Sequence, residues 1–173
     1  MSSTKLIIIL VLVLAIGGGV RPGVKHFRSK GRTKKAEEDL QVIASAIIAF
    51  NRDTHLAPFY KEGDNTRPGA RIFYVLTGNG DEPGTAQSGW LASSADSFFS
   101  HLSLNEPKYP AQGKYAWKGP YLKEDIGPDP WGKQYLCNVA MMDPKENKAV
   151  WVLSAGPNRT IDTPFSQSIN RAA

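Results

Sequence analysis

The sequence predicts an α+β fold, in which a long N-terminal helix packs on a small antiparallel β-sheet supplied by the last third of the chain. Three observations predict it: an apolar run from Leu6 to Val20, an amphipathic stretch that starts at Ala36, and two short runs rich in Val, Leu, Tyr and Trp near the end. They divide the chain into residues 1–35 (apolar stem and basic segment), 36–57 (amphipathic part of the long helix), 58–128 (variable helices and loops), 129–165 (sheet and C-terminal loop) and 166–173 (tail).

The stem comes first. Leu6 to Ile16 is continuously apolar, and Gly17, Gly18, Gly19 and Val20 extend the run to Arg21 and Pro22. As a helix it would cover roughly 22 Å, short of the ~30 Å hydrocarbon layer of a bilayer. A signal peptide, a short anchor and the hydrophobic stem of an assembling subunit all fit this length. From Ala36 onward, Leu40, Ile43, Ile47 and Phe50 recur at spacings of three and four, with Glu37, Glu38, Gln41, Ser45 and Arg52 directed elsewhere. That is the stripe a helix needs to lie on a sheet, and the stretch should end before Pro58. Gly31, between Ser29 and Thr33, marks a place where the helix could bend.

Beyond Pro58 the chain is rich in Gly, Pro and polar residues. Ala70 to Thr77 reads as a short helix or strand ended by Gly78-Asn79-Gly80, Asp81 to Gly89 as an exposed loop, and Ala95 to Leu102 as a helix capped by Ser94. Gln134 to Met141 and Ala149 to Ser154 then flank a polar turn at Asp143 to Asn147, which predicts a hairpin. Asp129-Pro130-Trp131-Gly132 has the residue order of a type I turn, and Trp131 should pack against the helix.

Charge is distributed unevenly. The formal net charge is +5, yet residues 1–36 hold eight basic residues and no acidic one, leaving thirteen basic against sixteen acidic residues in the remainder. A basic arm beside an apolar segment suits anionic lipid head groups or subunit partners, and no basic face interleaved with aromatics supports nucleic acid binding. The single cysteine, Cys137, excludes an intrachain disulfide and reads as a small apolar residue in a strand. His26, His55 and His101 lack metal-ligand spacing, and the glycines lack the strand-to-helix context of a phosphate-binding loop. Asp125 and Asp129 are better explained by the turns around Pro128 and Pro130 than by acid–base chemistry, and the Asn158-Arg159-Thr160 sequon carries little weight. No catalytic set emerges, so the chain reads as a non-enzyme.

The residues also carry a resemblance. Asp129-Pro130-Trp131-Gly132 with Tyr135, followed by Leu153-Ser154-Ala155-Gly156-Pro157-Asn158, resembles the C-terminal signature of the type II secretion major pseudopilin, a type IV pilin-like family. Lys35-Ala36 through Asp39, Ala46, Phe50, Asp53, His55 and Pro58 match that family's helix and its exit, and Pro22 falls at its stem proline. The resemblance covers roughly residues 6–58 and 117–165 and differs at Lys5, where the family has a glutamate.

The resemblance implies a pilin-like fold and a structural role. Subunits would assemble as a helical homo-oligomeric filament through the stem, with Leu6, Ile9, Leu10, Val13, Leu14 and Pro22 as assembly residues. Other pseudopilins and inner-membrane secretion assembly proteins would be partners. The chain would sit in the bacterial inner membrane as a single-pass protein, its head in the periplasm or in an extracellular filament. The family's C-terminal loop binds calcium, and the matching positions here are the Leu153 carbonyl, Ser154, Asn158, the carbonyl near Thr160, and Asp162. The alternative is a membrane-anchored extracytoplasmic binding module that never polymerises and recognises a partner through residues 81–116.

Overall fold

The computed structural model describes residues 9–12, 24–55, 76–85, 88–90, 95–142 and 149–166. Helix α1 runs from Val24 to Thr54. It therefore includes the basic segment as well as the amphipathic stretch, and it passes through Gly31 as one helix. Ala36, Leu40, Ile43, Ala44, Ala46, Ile47 and Phe50 are buried, as their spacing predicts. The helix stops at Thr54, whose hydroxyl donates to the Phe50 carbonyl, and His55 leaves it in the left-handed region with φ +55°. A helix commonly ends on such a residue.

Five short strands form one sheet in the order β1-β5-β4-β2-β3, where β1 is Ile9–Leu12, β2 Leu76–Thr77, β3 Asp96–Ser97, β4 Leu136–Cys137 and β5 Val150–Leu153. The centre is antiparallel, with Cys137 opposite Val152 and Leu136 opposite Leu153. Both edges pair in parallel, β1 with β5 and β3 with β2. Alternation along β5 sends Val150 and Val152 to the core under α1 and Trp151 and Leu153 to a second apolar cluster with Trp90, Leu136, Ala155 and Ile161. All four β5 residues are buried, so the sheet is covered on both faces.

Several expectations are corrected. Ile9–Leu12 is a strand rather than part of a helical stem. A short continuous apolar run fits a strand as well as it fits a helix, and β-branched Ile and Val favour the strand. The assembly residues Ile9 and Leu10 lie in β1, whereas Leu6, Val13, Leu14 and Pro22 lie outside the described residues. Among the described residues no helix is long and apolar enough to cross a membrane.

The helix expected over Ala95 to Leu102 is instead β3 followed by a helical turn and a π-helix, Ser100–Leu104. Ser97 takes over the capping role, since its hydroxyl accepts the Phe99 N–H at 3.1 Å and Asp96 Oδ1 accepts the Ser97 N–H at 2.8 Å. The strand expected over Gln134 to Met141 shortens to β4, after which Val139–Met142 is a 3-10 helix. Asn138 ends it. Its Oδ1 accepts the Trp151 N–H at 2.6 Å and its Nδ2 donates to the carbonyls of Ala149 and Phe165, so the side chain takes one bond of the ladder while the Asn138 N–H still donates to the Trp151 carbonyl at 3.4 Å. The turn expected at Asp143 to Asn147 lies outside the described residues. Trp131 is half-buried and belongs to neither core cluster; Trp117 and Tyr121 pack on the core under α1 instead.

Candidate functional site

The two turn motifs of the sequence meet at one buried carboxylate. Asp129 opens the Asp-Pro-Trp-Gly turn, which closes with the Gly132 N–H donating to the Asp129 carbonyl at 2.8 Å. Gly132 sits at φ +83°, where a side chain would be strained. The Asp129 Oδ1 accepts the N–H groups of Trp131 and Lys133 at 2.9 and 2.8 Å. Its Oδ2 accepts the Ser154 hydroxyl at 2.6 Å, and Ser154 Oγ in turn accepts the Gly156 N–H at 3.1 Å. Asp129 is 2% exposed, so a carboxylate that would be costly to bury alone is matched by donors on every side. Pro130 and Pro157 flank these bonds within their turns.

Tyr135 carries the same region to the helix. Its hydroxyl donates to Asp39 Oδ2 at 3.0 Å, and Lys35 binds the other oxygen of Asp39 at 2.5 Å. Burial first, and then the Asp39 and Asp129 carboxylates, push the Tyr135 phenol far above its usual range, so it serves as a neutral donor. Neighbouring Cys137 is buried, and burial pushes its thiol up as well, which suits an inert packing residue.

Beyond Ser154 the loop turns at Gly156 and Arg159, both with positive φ. The structure brings Asn158, Thr160 and Asp162 together: Asn158 Oδ1 accepts the Thr160 N–H at 3.3 Å, and Asn158 Nδ2 donates to Asp162 Oδ2 at 3.4 Å. Thr160 Oγ1 donates to the Asn158 carbonyl at 3.4 Å. Leu153 is buried on β5 and Ser154 is engaged with Asp129. A calcium ion takes six to eight oxygens and usually more than one carboxylate. Here Asp162 is the one carboxylate of the turn, Arg159 puts a cation beside it, and the side-chain oxygens already accept or share hydrogen bonds. No group of three or more His, Cys, Asp or Glu converges among the described residues. This donor set does not fit a calcium shell.

What the sequence reading missed is the role of residues 78–85 and Ser88. Expected as an exposed loop from Asp81, this segment is stitched to both turns by its backbone. Gly78 N–H donates to the Tyr135 carbonyl, Asp81 exchanges bonds with Gly132 and Gln134, Gly84 with Arg159 and Ile161, and the Ser88 carbonyl accepts the Phe165 N–H. Asp81 also lies 3.4 Å from the Arg159 guanidinium and 3.7 Å from Lys133 Nζ. Gly84 was the available signal, because a Cβ there would come within 3.0 Å of Thr160 Oγ1.

A second polar cluster surrounds His101, which is fully buried, with Nε2 2.9 Å from Asp96 Oδ2 and Nδ1 2.7 Å from the Tyr109 hydroxyl. Burial pushes the Asp96 carboxyl up, but the hydrogen bonds from His101 and the Ser97 N–H outweigh it and hold the group below its usual range. Tyr109 is 2% exposed, so the cluster presents no nucleophile to a substrate and instead braces the π-helix. His55 lies at the surface, its ring 4.2 Å from that of Tyr115.

Comparison with curated proteins and with solved structures gave no match. Residues 103–168, less than half of the chain but including both turns and the Asp129–Ser154 tie between them, match the family model for type II secretion system (T2SS), protein G, the major pseudopilin.

Proposed function

We propose that the chain is a structural subunit of a type II secretion pseudopilus or a related pilin-like filament, anchored in the inner membrane by its apolar N-terminal run and supporting protein export. The observation that carries this reading is the family match over residues 103–168, which spans the turns that Asp129 and Ser154 join. The long α1 also supports it, because it leads from the head back toward the apolar run through an uninterrupted basic segment. In this role Leu6, Ile9, Leu10, Val13 and Leu14 hold neighbouring copies together, with Ile9 and Leu10 leaving β5 when the stems associate. The partners are further copies, other pseudopilins and inner-membrane assembly proteins, with the head in the periplasm or in the filament. The role is mechanical, and the head performs no chemistry.

The test is to express the full chain with a secretion machinery and look for filaments and crosslinked ladders. Leu10→Glu with Leu14→Glu should abolish both while the head keeps its circular dichroism spectrum. Ladders that persist in this variant exclude stem-driven assembly. A wild-type chain that gives none is the non-polymerising tether.

A further inference from the structure

We infer that the C-terminal loop is closed by a peptide staple, residues 78–85 with Ser88, in the place where a divalent cation would otherwise have to gather it. The staple runs between the two turns and bonds to each. On one side Asp81 donates its N–H to the Gly132 carbonyl at 3.0 Å and accepts the Gln134 N–H at 2.9 Å. On the other side Gly84 donates to the Arg159 carbonyl at 3.1 Å and accepts the Ile161 N–H at 2.7 Å, and the Ser88 carbonyl takes the Phe165 N–H at 2.8 Å. Residues 159–165 are thereby fixed at three points along the loop. Trp90, immediately after the staple, adds an indole N–H bond to the Thr163 carbonyl at 2.8 Å and an edge contact with the Phe165 ring at 5.2 Å.

A metal would organise this loop by collecting its carbonyls and carboxylates around one charge. Here two of the loop carbonyls, Arg159 and Thr163, already accept hydrogen bonds from the staple and from Trp90. The cation near the loop is its own Arg159, paired with Asp81 of the staple. That pair is more than half exposed on both sides, so it adds little, and the backbone bonds carry the closure. Gly84 makes the approach possible: a side chain there would meet Thr160 Oγ1 at 3.0 Å and Thr160 Cγ2 at 3.3 Å.

The full chain, purified in detergent micelles, is melted with calcium chloride, with magnesium chloride and with EDTA. A bound ion at a hundredfold excess over its Kd would raise the Tm by about 5 °C or more. The staple predicts a calcium-dependent shift below about 1 °C in the wild type. Gly84→Val should lower the Tm by several degrees and expose the loop to proteolysis after Arg159, calcium should not restore it, and Thr160→Ala in the same chain should restore it in part by opening the space. A calcium-specific rise of the wild-type Tm, or a Gly84→Val chain as stable and protease-resistant as the wild type, overturns the inference. Because the readout is the melting of the chain itself, it is independent of whether filaments form.

Discussion

Asp129 joins two stretches of sequence that are 25 residues apart into one structure. Either turn could form locally, since aspartate, proline and glycine suit the first and Gly156 with positive φ suits the second. What local chemistry does not supply is their relative position, and the Ser154 hydroxyl on Asp129 Oδ2 does. Replacing Asp129 by Ala leaves the buried Ser154 hydroxyl and the N–H groups of Trp131 and Lys133 without their acceptor. At about 1–3 kcal/mol for the buried Ser154 hydroxyl left unmatched, and less for each of the two half-buried N–H groups, the loss should be about 2–4 kcal/mol in urea unfolding. Ser154→Ala should cost clearly less in the Asp129→Ala background than in the wild type, because the bond it removes is already gone. Equal costs in both backgrounds would show that the two side chains act independently.

At the scale of elements, α1 divides sharply into a face that supports the fold and a face that does not. Phe50 is fully buried, with its ring 4.8 Å from Tyr109 and 5.7 Å from Tyr121, and Ile47 is buried beside it. Phe50→Ala should cost about 3–5 kcal/mol and Ile47→Ala about 2–5 kcal/mol. Val42, 50% exposed on the same helix, should tolerate Ala within about 0.5 kcal/mol. Urea midpoints of the three variants check this, and a Val42→Ala loss as large as that of Ile47→Ala would mean that the isolated chain buries both faces. The buried stripe was legible because burial on one side imposes a period on the sequence. β5 was legible as a short run rich in Val, Leu and Trp, and the turn at Asp129 by its residue order. The sequence reading missed elements whose determinants leave no period: β3 has two residues, and the capping by Ser97 looks no different in sequence from capping by Ser94. The staple was invisible for a similar reason, since backbone bonds place almost no demand on side chains except at Gly80 and Gly84. The tie from Asp129 to Ser154 was equally hidden, because both residues already had a sufficient local explanation in their own turns. For Ile9–Leu12 the apolar run was plain, but its conformation was not encoded in it.

At the scale of the molecule, the question is whether the two apolar clusters form one cooperative structure or two. They lie on opposite faces of the same sheet, one under α1 and the other lined by Trp90, Trp151 and Ile161, and they share no core residue. The strands between them are too short to stand alone: β4 has two residues and β5 four. Losing the helix layer would expose Val150 and Val152, and losing the other layer would expose Trp151 and Leu153, so neither cluster can melt without stripping the strand the other is built on. Polar ties reinforce this from both sides, Tyr135 bonding to Asp39 of α1 and Asn138 to the Phe165 carbonyl behind the sheet. The expected outcome is a single unfolding transition. In a chain with Trp117→Phe and Trp131→Phe, fluorescence from Trp90 and Trp151 reports the rear cluster and far-ultraviolet circular dichroism reports mainly α1. The two curves should share one midpoint in urea, as a two-state domain requires. If the fluorescence change comes first while the helical signal persists, the rear layer with its staple is a separable cap. The core between α1 and the sheet would then be the unit that folds first.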